Sequence, residues 1–243
     1  MKEYILVIPA RYESTRFPGK PLIDILGLSM INRVYLQCKK AVPKELIYIA
    51  TDSEKIKSHV SSFTKNIIMT SSECKTGTDR VAEVAKLIDA KYYINVQGDE
   101  PIMNPDDIKK IIEEISHKNQ NIIAGYCEIN DEESYFSESI PKVVFSKNKN
   151  LLYISRGPIP FNKKRKFNFA YRQVCVYAFP KLALEQFSYV SEKTSLENEE
   201  DLELLRFLEM GVEVRMIKLS NHSIAVDMKE DLQKVINKIK DES

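Results

Sequence analysis

Along the first hundred residues, short apolar runs alternate with stretches whose apolar positions recur at helical spacing. Residues 5–8 (ILVI) are uninterrupted and closed by Pro9, the pattern of a strand covered on both faces. Ser29 is placed to cap a helix through about Lys40, because Ile31, Val34, Tyr35 and Cys38 fall on one face. Residues 46–50 read as a second strand, 54–61 as a helix and 67–69 as a third strand. Val81, Val84, Ala85 and Ile88 mark another amphipathic helix, and 92–96 another strand. Asn104, Pro105, Asp106 and Asp107 combine a cap, a proline in first helical position and acids in the first turn, so a helix starts there and runs to about His117. Such alternation predicts a parallel sheet with helices on its faces.

Residues 122–129 and 142–145 read as further strands, but from about 130 the pattern loosens. A strand at 151–155 is stopped by Gly157, Pro158 and Pro160, and four consecutive basic residues at 163–166 read as a solvated loop. A strand-like pattern returns at 173–179. Residues 196–210 read as one acidic helix ending at Gly211, 213–219 as a strand, Ile224 and Val226 as an apolar pair, and 230–240 as a closing helix. The expected fold is α/β: a mostly parallel central sheet flanked by helices. It forms one domain over 1–243, with a smaller inserted lobe at about 130–190 as the candidate dimerisation region.

The chain has 243 residues, 43% hydrophobic and 29% charged, enough for a substantial core and typical of a globular protein. A net charge of +1 gives no reason to expect nucleic acid or a membrane as partner, and no apolar run approaches the ~18 residues that span a bilayer. Cys38, Cys74, Cys127 and Cys175 lack metal or redox spacing and are expected as reduced thiols; with no leader-like segment, the cytoplasm is the expected compartment. His59, His117 and His222 are scattered, which disfavours histidine catalysis.

Candidate chemistry sits in the loops. After the first strand come Arg11, Arg16 and Lys20, interleaved with Ser14, Thr15, Gly19 and two prolines. Cations, hydroxyls and backbone N–H groups are thereby offered to an anion at the carboxyl end of a buried strand, where open α/β sheets bind ligands. The motif is not a Walker A loop, because Lys20 is followed by proline. Asp99 follows the strand at 92–96 and is expected on the same rim, with Gly98 allowing close backbone approach to a ligand. Glu100 beside it points the other way along extended chain. Asp227 taken alone reads as the cap of the last helix, yet two carboxylates from separate strand ends suit Mg²⁺. In GTDR (77–80) the helix start and Arg80 can receive a carboxylate or phosphate, the alternative being Thr78 as an ordinary cap with Arg80 solvated. Arg156 and Tyr177 read alone as a surface charge and a core ring. These features point to a nucleotide-dependent transferase with one divalent ion and no protein nucleophile.

In chain order, IPARYESTRFPGKPL, ATDSEKI, TGTDRVAEV, NVQGDEP, PKVVF, ISRGPIPF, VYAF, LELLRFLEMG and VDMKEDL resemble the 3-deoxy-manno-octulosonate cytidylyltransferases, the CMP-Kdo synthetases, from residue 5 to about 240. The resemblance implies the nucleotide-diphospho-sugar transferase type of fold, whose central sheet is of the nucleotide-binding, Rossmann-like kind. It also implies CTP and a 2-keto-3-deoxy sugar acid as substrates, CMP-sugar and pyrophosphate as products, Mg²⁺ as cofactor, and a cytoplasmic homodimer feeding lipopolysaccharide or capsule synthesis. Carried over by position, Lys20, Arg16 and Asp99 would be catalytic. Ala10, Arg11, Arg16, Lys20, Asp52 and Gly77 would hold the nucleotide. Arg80, Gln97, Arg156, Gln173, Tyr177 and Glu203 would face the sugar acid, and Asp99 and Asp227 would hold the metal.

This chain departs from the family pattern on the sugar side. Gln173 stands where a histidine is common, in QVCVYAF against HLGxYxY; Cys175 replaces the glycine, and Leu204 stands where glutamine is usual. An 8-amino or nine-carbon acid is therefore an alternative substrate, and a non-catalytic nucleotide-sugar binding subunit an alternative role.

Overall fold

The opening apolar run becomes strand β1 (Lys2–Ala10), whose Ile5, Leu6, Val7 and Ile8 are wholly buried. In this computed structural model, residues 1–13, 17–116 and 121–242 are described. A hairpin of β2 (Asp24–Ile25) and β3 (Leu28–Ser29) follows, then α1 (Met30–Ala41), capped by the Ser29 side chain as its sequence requires. The regular alternation continues through β4 (Ile47–Thr51), α2 (Glu54–Val60), β5 (Ile67–Met69), α3 (Gly77–Leu87), β6 (Ala90–Val96) and α4 (Pro105–Ile115). Asn104 caps α4 as expected; the predicted end at His117 lies outside the described residues.

The second half comprises β7 (Ile122–Ile129), α5 (Glu132–Phe136), β8 (Lys142–Phe145), β9 (Leu151–Ser155), β10 (Ala170–Pro180) and α6 (Lys181–Tyr189). Then come α7 (Ser195–Glu200), α8 (Leu204–Glu209), β11 (Val214–Lys218) and α9 (Lys229–Asp241). The single acidic helix expected at 196–210 is two short ones. Asp201 adopts a left-handed φ of 53° and ends α7, donating its N–H to the Glu197 carbonyl.

The central sheet has the order β11-β7-β10-β6-β1-β4-β5, with β8 and β9 attached through β10. Along that path β11 is parallel to β7, and β6, β1, β4 and β5 pair in parallel; β10 is antiparallel to both of its neighbours. The mostly parallel sheet is as the sequence predicts. The irregular lobe is narrower than 130–190, because residues 170–180 form β10 in the middle of the sheet.

Alternate residues of β1 feed two cores, as a strand's two-residue period requires. Ile5 and Val7 pack with α3, α6 and α8 on one face, Leu6 and Ile8 with α1, α2 and α4 on the other. A third, smaller core joins Phe17, Ile25, Met30, Ile102, Val226 and Val235. It fastens α9 and the segment before it against the loop that follows β1.

Candidate active site

Since β1, β4 and β6 run parallel, their carboxyl ends deliver Arg11, Asp52 and Gln97–Gly98–Asp99 to one edge of the sheet. Gly98 lines the cavity at this edge and is required there by the chain's own packing. A Cβ on it would lie 2.6 Å from the Pro9 carbonyl oxygen, so the close approach is to the chain's own β1. Gly19, at φ +70°, turns the first loop so that Lys20 opens a short 3-10 helix and points back to this edge.

Because β10 runs the other way, its last pair with β6 at this edge is Val176 with Val96, and residues 170–175 overhang the carboxyl end of β6. Between Val174 and Tyr177 the register against β7 shifts, a bulge of the kind found beside active sites. The overhang forms one wall of a cavity of about 510 Å³. Ala10, Arg11, Lys20, Gly77, Arg80, Gln97, Asp99, Arg156, Gln173, Tyr177, Glu203 and Asp227 all line it. Arg16, with Ser14 and Thr15, lies outside the described residues. Asp52 is not among the residues lining the cavity; its carboxylate accepts from Arg80 at 2.9 Å.

The two acids separated by 128 positions in sequence, Asp99 and Asp227, meet on one cation. The Lys20 ammonium donates to Asp99 Oδ2 at 2.7 Å and to the Val226 carbonyl at 2.8 Å, with Asp227 Oδ1 at 3.6 Å. Val226 N–H in turn donates to the Asp99 carbonyl at 3.0 Å, which ties the late segment to the β6 loop. Asp227 is not the cap of α9; Asp231 serves that end, its carboxylate accepting from the N–H groups of Asp227 and Met228.

Three oxygens converging on one cation mark where positive charge is favoured. Among the described residues no three His, Cys, Asp or Glu side chains form a cage. Mg²⁺ does not need one, since it typically takes one or two carboxylates and completes its shell with water and phosphate. Asp99, Asp227 and the Val226 carbonyl fit that requirement.

At the start of α3 the cap is Thr76, not Thr78, in a capping box with Asp79. The anion-accepting end of the helix is filled by the chain itself. Glu203 Oε1 accepts from Gly77 N–H at 2.9 Å, and Oε2 from Thr78 N–H at 3.0 Å and the Thr78 hydroxyl. Burial raises the Glu203 carboxyl above its ordinary range, against these donors, which favour the anion. Arg80 lines the cavity but is not solvated. It is 2% exposed and spends its guanidinium on Asp52, the Thr70 hydroxyl and the Ser71 carbonyl.

On the opposite wall two neutral side chains pair. Gln173 Nε2 donates to the Tyr177 hydroxyl at 2.8 Å, both side chains being buried. Burial pushes the Tyr177 phenol and the Cys175 thiol well up, so neither ionises readily. Glu100, which sequence reasoning set aside, is also in this wall: 2% exposed, with Oε2 unpartnered among the described residues. Burial, then the neighbouring Asp99, pushes its carboxyl up to about 8. Arg156 is held by main-chain carbonyls, donating to Glu200 at 2.7 Å, Glu138 at 3.1 Å and Asp201 at 3.3 Å. Arg172, Lys75 and Lys193 also line the cavity, and no motif spacing marked them.

Comparison with known proteins agrees with this geometry. The family described as Cytidylyltransferase matches residues 5–218. The chain is 38% identical over 241 residues to a 3-deoxy-manno-octulosonate cytidylyltransferase of Protochlamydia amoebophila, covering 96% of this chain and 93% of the relative. It is 33% identical over 235 residues to the protein of that name from Escherichia coli, covering 97% and 95%. Among solved structures, CMP:2-keto-3-deoxy-manno-octonic acid synthetase complexed with CTP superposes with a TM-score of 0.90 at 32% identity over all of both chains. HddC from Yersinia pseudotuberculosis, at TM-score 0.71 and 19% identity over 97% and 99%, shares the fold.

Proposed function

This chain belongs to the cytidylyltransferase family, and from that premise we propose that it transfers the cytidylyl group of CTP to 3-deoxy-D-manno-octulosonate, releasing pyrophosphate. The observation that carries the proposal is the meeting of Asp99 and Asp227 on Lys20 in the wall of a cavity of about 510 Å³.

The reaction joins the anomeric hydroxyl of the sugar acid to the α-phosphorus as the bond to the β-phosphate oxygen breaks. Such transfer needs positioning and charge neutralisation more than covalent help. Arg11 and Lys20 would neutralise the phosphates, and Ala10 and Gly77 would seat the nucleoside against the strand ends. Asp99 and Asp227 would hold Mg²⁺. When bound there, the ion supplies charge neutralisation and makes the attacking hydroxyl easier to ionise. Gln97, Arg156, Gln173, Tyr177 and Glu203 would line the sugar side. Arg80, braced by its ion pair with Asp52, would face the sugar acid from the cavity wall. A cytoplasmic homodimer acting in lipopolysaccharide or capsule synthesis belongs to the same reading; among the described residues no helix is long and apolar enough to cross a membrane.

A second reading rests on the Gln173–Tyr177 pair and Cys175, which give this wall a different surface from the family pattern: the same chemistry on an 8-amino or nine-carbon acid. Pyrophosphate release should be measured with CTP, UTP, GTP and dTTP against a panel of 2-keto-3-deoxy acids and sugar 1-phosphates. CTP with 3-deoxy-D-manno-octulosonate is expected to give the highest kcat/KM. Preference for another acid selects the second reading, and preference for a sugar 1-phosphate overturns both.

A further inference from the structure

Lys142 is a fully buried lysine outside the set described above. It opens β8, pairing with Ser155 of β9 and Arg172 of β10. Its ammonium donates to the Ser137 carbonyl at 2.7 Å and to the Arg156 carbonyl. A buried cation satisfied by carbonyl dipoles is costly, and it persists only where its contacts are needed. Here both contacts lie in the cavity wall, on either side of the junction between the 137–141 segment and the end of β9.

The surrounding bonds show what the ammonium fastens. Glu200 accepts from the Ser155 hydroxyl at 2.6 Å and from Arg156 N–H at 2.8 Å, while the Arg156 guanidinium reaches the Glu138 carbonyl. Gln173 N–H donates to the Pro141 carbonyl at 3.0 Å. Arg156 and Gln173 therefore depend on the course of the 137–141 segment, and Lys142 sets that course from behind. Among the described residues, no hydrogen bond joins Lys142 to the nucleotide side built on β1, β4 and β6.

We infer that Lys142 is a positioning residue for the sugar-acid half of the reaction: its ammonium clamps the Ser137 and Arg156 carbonyls together and so fixes the wall that carries Arg156 and Gln173. This rests on the proposed sugar side of the cavity. Burial lowers the Lys142 ammonium to about 8; Glu200 opposes that shift, Arg156 adds to it and Glu138 opposes it. Arg172, its cross-strand neighbour, is turned to Asn221 and the Ser223 carbonyl. Loss of the proton removes the charge from both carbonyl contacts, so the clamp weakens as pH rises through this range.

The test is steady-state kinetics of the full chain with CTP and 3-deoxy-D-manno-octulosonate between pH 7 and 9. Lys142→Met is expected to raise the sugar-acid KM roughly tenfold, leave the CTP KM within about twofold and abolish the alkaline rise in sugar-acid KM expected of the wild type. Lys142→Arg, whose charge does not titrate in this range, is expected to hold the sugar-acid KM low to pH 9. Equal losses for both substrates in a folded Lys142→Met protein, or an unchanged sugar-acid KM, overturn the inference. If Lys142→Met does not fold, Lys142→Arg decides, and an alkaline rise matching the wild type counts against the clamp. Should the wild type turn over none of the sugar acids, the functional reading fails first, before any variant is compared.

Discussion

Lys20 spends its charge on the protein's own carboxylates, and that placement explains how two acids coexist at one point. Without a cation between them, Asp99 and Asp227 would repel each other at intermediate dielectric. Replacing Asp99 by Asn keeps the shape, because the side chain is only partly buried and still accepts from Lys20. Asp99→Asn and Asp227→Asn are each expected to lower kcat by about 100-fold or more while the melting temperature moves little. Pyrophosphate release and thermal unfolding measured together check this; a folded variant with full turnover would remove the acid from the reaction. Asp99 was legible because it closely follows a strand; Asp227, well beyond the end of β11, read alone as a helix cap and was given its metal role through the family motif. The destination of Arg80 was not legible, since its partner Asp52 belongs to another strand end and only parallel pairing brings the two together. Glu203 was legible as a site residue through the family motif alone. Its seat on α3 depends on a contact across 126 positions that no local pattern encodes.

At the scale of elements, the first half of the chain could be read almost residue by residue, because caps and periodicity agreed with the final packing. Ser29 and Asn104 cap the helices they were expected to cap. The acidic stretch near 200 misled because its composition favours helix throughout. The break at Asp201 is imposed by tertiary bonds: Glu197 pairs with buried Arg206 at 2.6 Å, and Glu200 turns to Arg156. The β6 loop shows the same dependence on packing. Gly98→Ala would drive a methyl into the Pro9 carbonyl, and the backbone must shift to admit it. A loss of about 1–3 kcal/mol in denaturant unfolding is expected, together with lower activity from displaced Asp99. A variant as stable as the wild type would show that the loop relaxes freely.

For the whole molecule, the alternation of strands and helices predicted the architecture, but not the reversed strand at its centre. β10 was recognisable as a strand from its apolar run. Its direction depends on the long excursion through α5, β8 and β9, which returns the chain to the far end of the sheet. That reversal makes the cavity, since a parallel strand in the same place would not overhang β6 in this way. The site also draws on both ends of the chain. A protein ending at Leu219 is expected to keep its strand signal in far-UV circular dichroism and to release no pyrophosphate; loss of both would mean that α9 is needed for the sheet itself.

The bond from Val226 to the Asp99 carbonyl gives the assembly an order in time. Among the described residues every strand precedes position 219, so during synthesis the scaffold can close while the second acid has yet to be made. On the proposed role of Asp227, reactivity is then expected to be the last property acquired, with a nascent or clipped copy holding the sheet without the second acid.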